Sequence, residues 1–373
     1  MKRIVILGAT GSIGRQALDV VSRHPDLFSV AGLSAHRDEA GLLAAAAEHP
    51  GAATCLSGAD SQAVRHSGPE GLRRLVEDTE ADVVLNAAAG AAGLLPSFYA
   101  LASGKDLALA NKETIVMAGR LAMEAATKAG RRILPVDSEH SALFNVIERF
   151  GRPSVRGVII TASGGAFRDA PLGSLERMTP KDALAHPTWS MGAKITIDSA
   201  SMANKGLEVI EAARLFDLQP DMIRVVIHPE SRVHSFVRTS DGSLYAQLSR
   251  PDMRIPILNA LAWPESVAES VADMDPCEIQ MHFSKPDPAR YPLLDLAFRS
   301  LRDGEGASCA YNASNEEAVY AFMDGRIRFT DIHATVAATL ARGFPTVLDG
   351  LDAVAEVDDA ARVVARKFLK EIR

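Results

Sequence analysis

Arg3-Ile4-Val5-Ile6-Leu7-Gly8-Ala9-Thr10-Gly11-Ser12-Ile13-Gly14 is the stretch that decides the fold. A β-branched, apolar run ends in glycines spaced three apart, and Ile13, Ala17, Leu18 and Val21 then recur at helical spacing. The pattern predicts strand, tight turn and helix. In that setting glycines let the backbone approach a pyrophosphate, and Thr10, Gly11, Ser12 and Ile13 can bind its oxygens through hydroxyls and helix N-terminal amides. The Gly-x-x-Gly-x-x-Gly spacing differs by one residue from the Gly-x-Gly-x-x-Gly fingerprint, as in many NADP-type variants. A strand-to-helix turn without ligand has the same appearance.

Outward from this turn, further short strands are expected at Phe28–Ser34, Asp82–Asn86, Asp106–Ala110 and Arg132–Val136, alternating with helical patterns. Such alternation predicts a mostly parallel, doubly wound sheet, an N-terminal Rossmann-type domain over 1–136 of an α/β protein. The pattern changes after Val155. Val158-Ile159-Ile160 reads as a buried strand, Arg224–Ile227 and Val233–Thr239 as two more, and Asp241-Gly242 as a hairpin turn into Ser243–Leu248. A central α/β catalytic domain is thus expected over 137–263. The proline-rich stretch 264–292 reads as an extended linker. Helices at 293–303, 313–324, 331–342 and 350–372, with Thr330-Asp331 as a cap and Gly343 as a stop, predict a C-terminal helical bundle over 293–373.

The chain of 373 residues is 47% hydrophobic and 23% charged, ordinary for a soluble globular protein. Its net charge of -7 argues against a nucleic-acid-binding surface. Cys55, Cys277 and Cys309 form no Cys-x-x-Cys pair, which favours a reducing, cytoplasmic setting. The N-terminal apolar run breaks at Gly8, too early for a signal peptide, and no window approaches the ~20 apolar residues of a membrane span.

The second strand ends in His36-Arg37-Asp38, where NAD binders usually place an acid for the ribose hydroxyl. A cation comes first here, and Arg37 can meet a 2′-phosphate bidentately, which favours NADP(H). Asn111-Lys112-Glu113 follows another strand and opens a helix, placing Lys112 where it can polarise a carbonyl.

Asp137-Ser138-Glu139 follows the strand Arg132–Val136. Residues two apart on a strand share a side, so both acids can reach one ion. Oxygen ligands alone favour Mg²⁺ or Mn²⁺ over zinc. Compensation of a helix dipole by Glu139 is the competing reading. A second cluster, Ser199, Asn204, Lys205 and Glu208, supplies another carboxylate. Asn204 and Glu208 share a helix face, and Lys205 offers a compact cation for a phosphate. Between the clusters, Ser163-Gly164-Gly165 suits anion contact through amides and a hydroxyl. His186-Pro187-Thr188-Trp189-Ser190-Met191-Gly192 places Trp189 and Met191 in a loop bounded by Pro and Gly. A lid over 186–193 that excludes water and satellite packing beneath a loop are both open readings.

These segments resemble the 1-deoxy-D-xylulose 5-phosphate reductoisomerase family over essentially the whole chain. The matching stretches are GATGSIG at 8–14, ANKE at 110–113, PVDSEHSA at 135–142, TASGGAFR at 161–168, AQLSRPDMR at 246–254 and FTDI at 329–332. HPTWSMGAKITIDSASMANKGLEVIEA at 186–212 is the most specific. The resemblance implies a cytoplasmic homodimer of non-mevalonate isoprenoid synthesis. It would convert 1-deoxy-D-xylulose 5-phosphate and NADPH to 2-C-methyl-D-erythritol 4-phosphate with Mg²⁺, Mn²⁺ or Co²⁺. It implies Asp137, Glu139 and Glu208 as metal ligands. Ser163, His186, Ser199, Asn204 and Lys205 would hold the sugar phosphate, with Ser138 and Lys112 at the reacting carbons and Trp189 and Met191 over them. Thr10 to Ile13, His36 to Asp38, Asn111, Glu113 and Gly192 would line the cofactor. The family usually has Gly-Lys/Arg-Asn after the second strand, so His36-Arg37-Asp38 keeps only the central cation.

Overall fold

The structure, a computed structural model, describes residues 1–189, 191–268, 271–272 and 274–372. Two compact units share the chain. Met1–Thr114, Ala122–Ser141 and Asp252–Ala272 form the first, and Ile115–Leu121, Ala142–Pro251 and Asp273–Arg373 the second.

The first unit opens with β1 (Lys2–Leu7), α1 (Ser12–Arg23), β2 (Phe28–Ala35), α2 (Glu39–Glu48), β3 (Ala53–Leu56), β4 (His66–Ser67) and α3 (Gly68–Asp78). It continues with β5 (Val83–Asn86), α4 (Leu94–Ala102), β6 (Asp106–Leu109), α5 (Lys112–Ala129), β7 (Ile133–Pro135) and α6 (Ser138–Phe150), the last two helices also contributing residues to the second unit. The sheet order is β4-β3-β2-β1-β5-β6-β7 with every pairing parallel. Ile4 to Leu7 are wholly buried, as a central strand covered on both faces requires. The strand order reverses between β1 and β5, and their carboxyl ends flank the crevice where such sheets bind ligands. β3 and β4 were not expected: four and two residues are too short to show a period.

In the second unit come β8 (Val155–Ala162), α7 (Pro180–Ala183), α8 (Ala193–Ser201), α9 (Ala203–Leu215), β9 (Ile223–Ile227), β10 (Val233–Thr239) and β11 (Leu244–Leu248). They make a sheet of order β11-β10-β8-β9, in which β8 and β9 are parallel and the other pairs antiparallel. The hairpin turns at Gly242, whose φ of 88° suits glycine. After α10 (Arg254–Ala262), which belongs to the first unit, come α11 (Pro292–Asp303), α12 (Glu305–Met323), α13 (Phe329–Leu340) and α14 (Leu351–Glu371). The core of the second unit joins both regions: Ile160, Leu207 and Ile210 belong to one cluster with Tyr311, Phe322 and Val336.

Three local expectations need correction. β7 stops at Pro135 and α6 starts at Ser138, so Asp137 and Glu139 do not alternate along a strand. Asp137 caps a helix and Glu139 lies in its first turn. α12 begins at Glu305 rather than near 313, because Gly306 permits an approach that would bring a Cβ within 2.5 Å of the Pro345 carbonyl. α13 begins at Phe329, which puts Asp331 inside its first turn, accepting from the Arg328 N–H at 2.9 Å. The stretch read as a linker holds a short 3₁₀ turn at Pro276–Glu278 and a bridge from Ser284 to Ile227.

Candidate functional site

In the first unit the glycine turn is shaped by close approach. Gly8 has φ 78°, and a Cβ there would lie 2.7 Å from the Ala87 carbonyl at the end of β5. A Cβ on Gly14 would fall 2.2 Å from the Gly8 carbonyl, so α1 docks on its own turn only as glycine. Gly11, the N-cap, brings no side chain to the α1 amides, so the first turn of α1 has no side-chain cap. Thr10 and Ile13 are half-buried, while Gly11 and Ser12 are exposed. His36, Arg37 and Asp38 are exposed after β2, and Asp38 caps α2 by accepting from Gly41 N at 3.0 Å.

Asn111 and Asp137 anchor the polar groups at the other strand ends. Asn111 caps α5 through its Oδ1, which accepts from Thr114 N at 2.9 Å. Its Nδ2 donates to Ala88 O at 2.8 Å, Gly90 O at 2.9 Å and the Glu113 carboxylate at 2.9 Å. Asn111 thus ties the loop after β5 to the start of α5. Asp137 Oδ1 accepts from the Glu139 and His140 amides at 3.1 and 3.3 Å, while its Oδ2 pairs with the buried Lys112 ammonium. Ser138 donates to the Glu139 carboxylate.

The second unit assembles a separate cluster around a glycine contact. Gly165 has φ 68°, and a Cβ there would lie 2.4 Å from the Ser199 carbonyl. The turn after β8 can therefore press directly on α8 and bring two hydroxyls together. His186 Nε2 lies 3.0 Å from Ser163 Oγ and 3.1 Å from Ser199 Oγ. Burial, and then the Arg168 guanidinium, hold the imidazole below its ordinary pKa. Arg168 also donates to the Ser163 carbonyl at 3.0 Å.

Met202, at φ 63°, separates α8 from α9 and starts a helix whose first turns carry the remaining polar groups. Asn204 Nδ2 donates to Glu208 at 2.7 Å, as the shared face predicts. The Lys205 ammonium pairs with the Glu208 carboxylate, and both are almost wholly buried. Asn204 Oδ1 is buried without a hydrogen-bond partner among the described residues. Trp189 and Met191 are half-buried and Gly192 is the exposed N-cap of α8. Ser190 of the same segment lies outside the described residues.

Several residues in these clusters escaped the sequence reading. Asp198 is 1% exposed, pairs with Lys194 at 2.9 Å and accepts from Asn315 at 2.8 Å. The i, i+4 spacing of Lys194 and Asp198 was a usable signal; Asn315, on α12, gave none. His140, fully buried beside Asp137 with Nδ1 at 3.1 Å, could only be read as a helix residue.

A glycine-turned, wholly parallel sheet in the first unit and, in the second, a mixed sheet with hydroxyls, an imidazole and a buried lysine–carboxylate pair define the class: a Rossmann-type α/β protein with a second α/β unit. Comparison with known proteins narrows this. Three family profiles match: 1-deoxy-D-xylulose 5-phosphate reductoisomerase over residues 4–119 and its C-terminal domains over 133–216 and 248–364. The enzyme of that name from Pseudomonas fluorescens is 44% identical over 99% of this chain and 98% of its own length. That of Methylococcus capsulatus is 42% identical over the whole of both chains. A solved DOX-P reductoisomerase in complex with NADPH, fosmidomycin and magnesium shares 39% identity at a TM-score of 0.92, covering 99% of this chain and 98% of that one. The Zymomonas mobilis enzyme in complex with NADPH shares 38% at a TM-score of 0.90, covering 99% of each chain. The chain belongs to the 1-deoxy-D-xylulose 5-phosphate reductoisomerase family.

Proposed function

We infer that the protein isomerises and reduces 1-deoxy-D-xylulose 5-phosphate to 2-C-methyl-D-erythritol 4-phosphate, a step of isoprenoid precursor synthesis, with NADPH and a divalent metal. The observation that carries this reading is full-length identity above 40% to enzymes of that name. The polar groups found in each unit suit the same chemistry.

In this reading Asp137, Glu139 and Glu208 hold the cation. The donor set fits Mg²⁺, Mn²⁺ or Co²⁺: it is all carboxylate oxygen, and Asp137 and Glu208 each pair with a lysine. When bound, the metal supplies Lewis acidity to the ketose oxygens. Lys112 and Lys205, released from part of their carboxylate contact, then face the substrate as cations. Ser163 and Ser199, joined by His186, hold the phosphate, and Asn204 Oδ1 accepts from a sugar hydroxyl. Ser138 sits at the reacting carbons, and Trp189 and Met191 shield them from water. Cleavage of the C3–C4 bond of the ketose and formation of a new C2–C4 bond gives 2-C-methyl-erythrose 4-phosphate, whose aldehyde takes hydride from NADPH and one proton. Thr10 to Ile13 bind the pyrophosphate and Arg37 the 2′-phosphate. His36, Asp38, Asn111, Glu113 and Gly192 complete the cofactor site.

A cytoplasmic homodimer completes the proposal. No helix among the described residues is long and apolar enough to cross a membrane. Edge strand β11 exposes Leu244 and Leu248, and Tyr245 packs against Phe150 in a tilted ring contact, an apolar edge that a second copy can cover. Sedimentation will read the mass.

The deciding experiment follows NADPH absorbance with the deoxyxylulose phosphate. Chelation should stop turnover and Mn²⁺ should restore it. Glu208→Gln should lower kcat by at least about a hundredfold with NADPH affinity unchanged. Full rate in chelator would refute the metal, and no oxidation with metal present would refute the substrate.

A further inference from the structure

His186 makes four hydrogen-bond contacts, and their donors and acceptors leave little freedom. Its Nδ1 accepts from the backbone N–H of Thr188 at 3.1 Å and of Trp189 at 2.9 Å. Two amides can only donate, so Nδ1 carries no proton and the ring is the neutral Nε2–H tautomer. The depressed basicity noted above supports the neutral form. Nε2–H therefore donates, shared between Ser163 Oγ at 3.0 Å and Ser199 Oγ at 3.1 Å. Ser163 Oγ already accepts from Gly165 N at 3.2 Å, so a second incoming donor fills its lone pairs. Its own hydrogen must point outward. The direction of donation runs one way, from loop backbone through imidazole to hydroxyl.

We propose that His186 is a positioning residue with two separable functions. Its Nδ1 latches the Thr188–Trp189 backbone, and the tautomer so fixed turns Ser163 and Ser199 into hydroxyl donors for a fully ionised oxyanion. A ligand that must itself donate finds no acceptor at Ser163, so the dianionic form of a phosphate or phosphonate is selected over forms that carry a proton. The proposal rests on the phosphate assignment above for the ligand, but the latch and the tautomer do not depend on it.

Asparagine at 186 can reproduce the Nδ1 acceptor and not the Nε2 donor, and glutamine the reverse. The protein is tested with Trp263→Phe, so that Trp189 alone reports. In His186→Asn, acrylamide quenching of Trp189 should match the parent, while affinity for inorganic phosphate falls by about tenfold, as for a lost hydrogen bond within a charged network. In His186→Gln, Trp189 should become more accessible while phosphate affinity falls less than in His186→Asn. Nitrogen NMR of histidine-labelled protein, without any ligand, should show His186 with a protonated Nε2 and a bare Nδ1. A protonated Nδ1, or equal loosening of Trp189 in both variants, would overturn the proposal. Loss of phosphate binding in the parent protein, with the tautomer as stated, would instead count against the phosphate assignment.

Discussion

Asn204 Oδ1 is a carbonyl oxygen buried without a partner, while the other end of the same amide donates to Glu208. Leaving such an acceptor unsatisfied costs roughly 1–3 kcal/mol, a cost removed when a donor arrives. Asn204→Ala should therefore raise KM for the sugar phosphate by about tenfold and leave KM for NADPH where it is. A variant that changed both constants together would place the residue elsewhere. His186 makes a second residue-scale prediction. Its folded pKa lies below the ordinary value, so below pH 6.5 the unfolded chain binds its proton first. The unfolded state then holds more protons, and stability falls as pH falls through the window from 6.5 to the depressed folded value. Above 6.5 the contribution is fully present. The causes are the ring's burial first and then the Arg168 guanidinium. His66 and His333 are held low by burial as well, so the measurement is a difference. Urea unfolding at neutral and mildly acid pH should show a steeper loss in the parent than in His186→Gln.

At the scale of elements, the turn after β8 meets α8 at a contact that only glycine permits. Gly165→Ala would place a methyl 2.4 Å from the Ser199 carbonyl and 2.6 Å from Ala200 Cα, at a φ of 68°. A left-handed residue with a side chain costs about 1–3 kcal/mol, and the clash adds to it. The turn must lift, carrying Ser163 away from Ser199. The variant should lose phosphate affinity and melt earlier, yet bind NADPH as before, which paired thermal and titration measurements will check. The same elements explain what was legible in the chain. Strands β1, β2, β5, β6 and β7 were readable because short apolar runs alternate there with helical periods. Gly165 was readable only as a small residue in a turn; its contact with α8 joins positions far apart in sequence. The start of α6 was misread because an acid after a strand looks the same as a strand end or a helix cap. Only the Asp137 hydrogen bonds to the Glu139 and His140 amides tell them apart.

For the molecule as a whole, the chain order hides the division of labour. The first unit is built from three stretches, and α10, some hundred residues beyond the sheet it belongs to, counts with it. Lys2 donates to the Leu261 carbonyl at 3.0 Å and Arg254 reaches Asp19 at 3.3 Å, so α10 is tied to the N-terminal strand and helix. No local pattern announces such partners, which is why 252–263 was read as part of the central domain. The motifs resembling the family were legible; the spatial grouping that serves them was not. The grouping carries a prediction for NADPH. The glycine turn, the residues after β2 and the Asn111 knot all lie in the first unit, so on the proposed assignment its open states lose most of the nucleotide contacts. At a hundredfold excess over its Kd, NADPH should stabilise those states against opening by about 2.7 kcal/mol. Hydrogen exchange should then slow through β1, β2, β5 and also through α10, because α10 opens with that unit. Exchange in α12 and α14, which belong to the other unit, should change far less. If α10 exchanged as though NADPH were absent while β1 was protected, the Lys2 and Arg254 ties would not bind that helix into one cooperative unit.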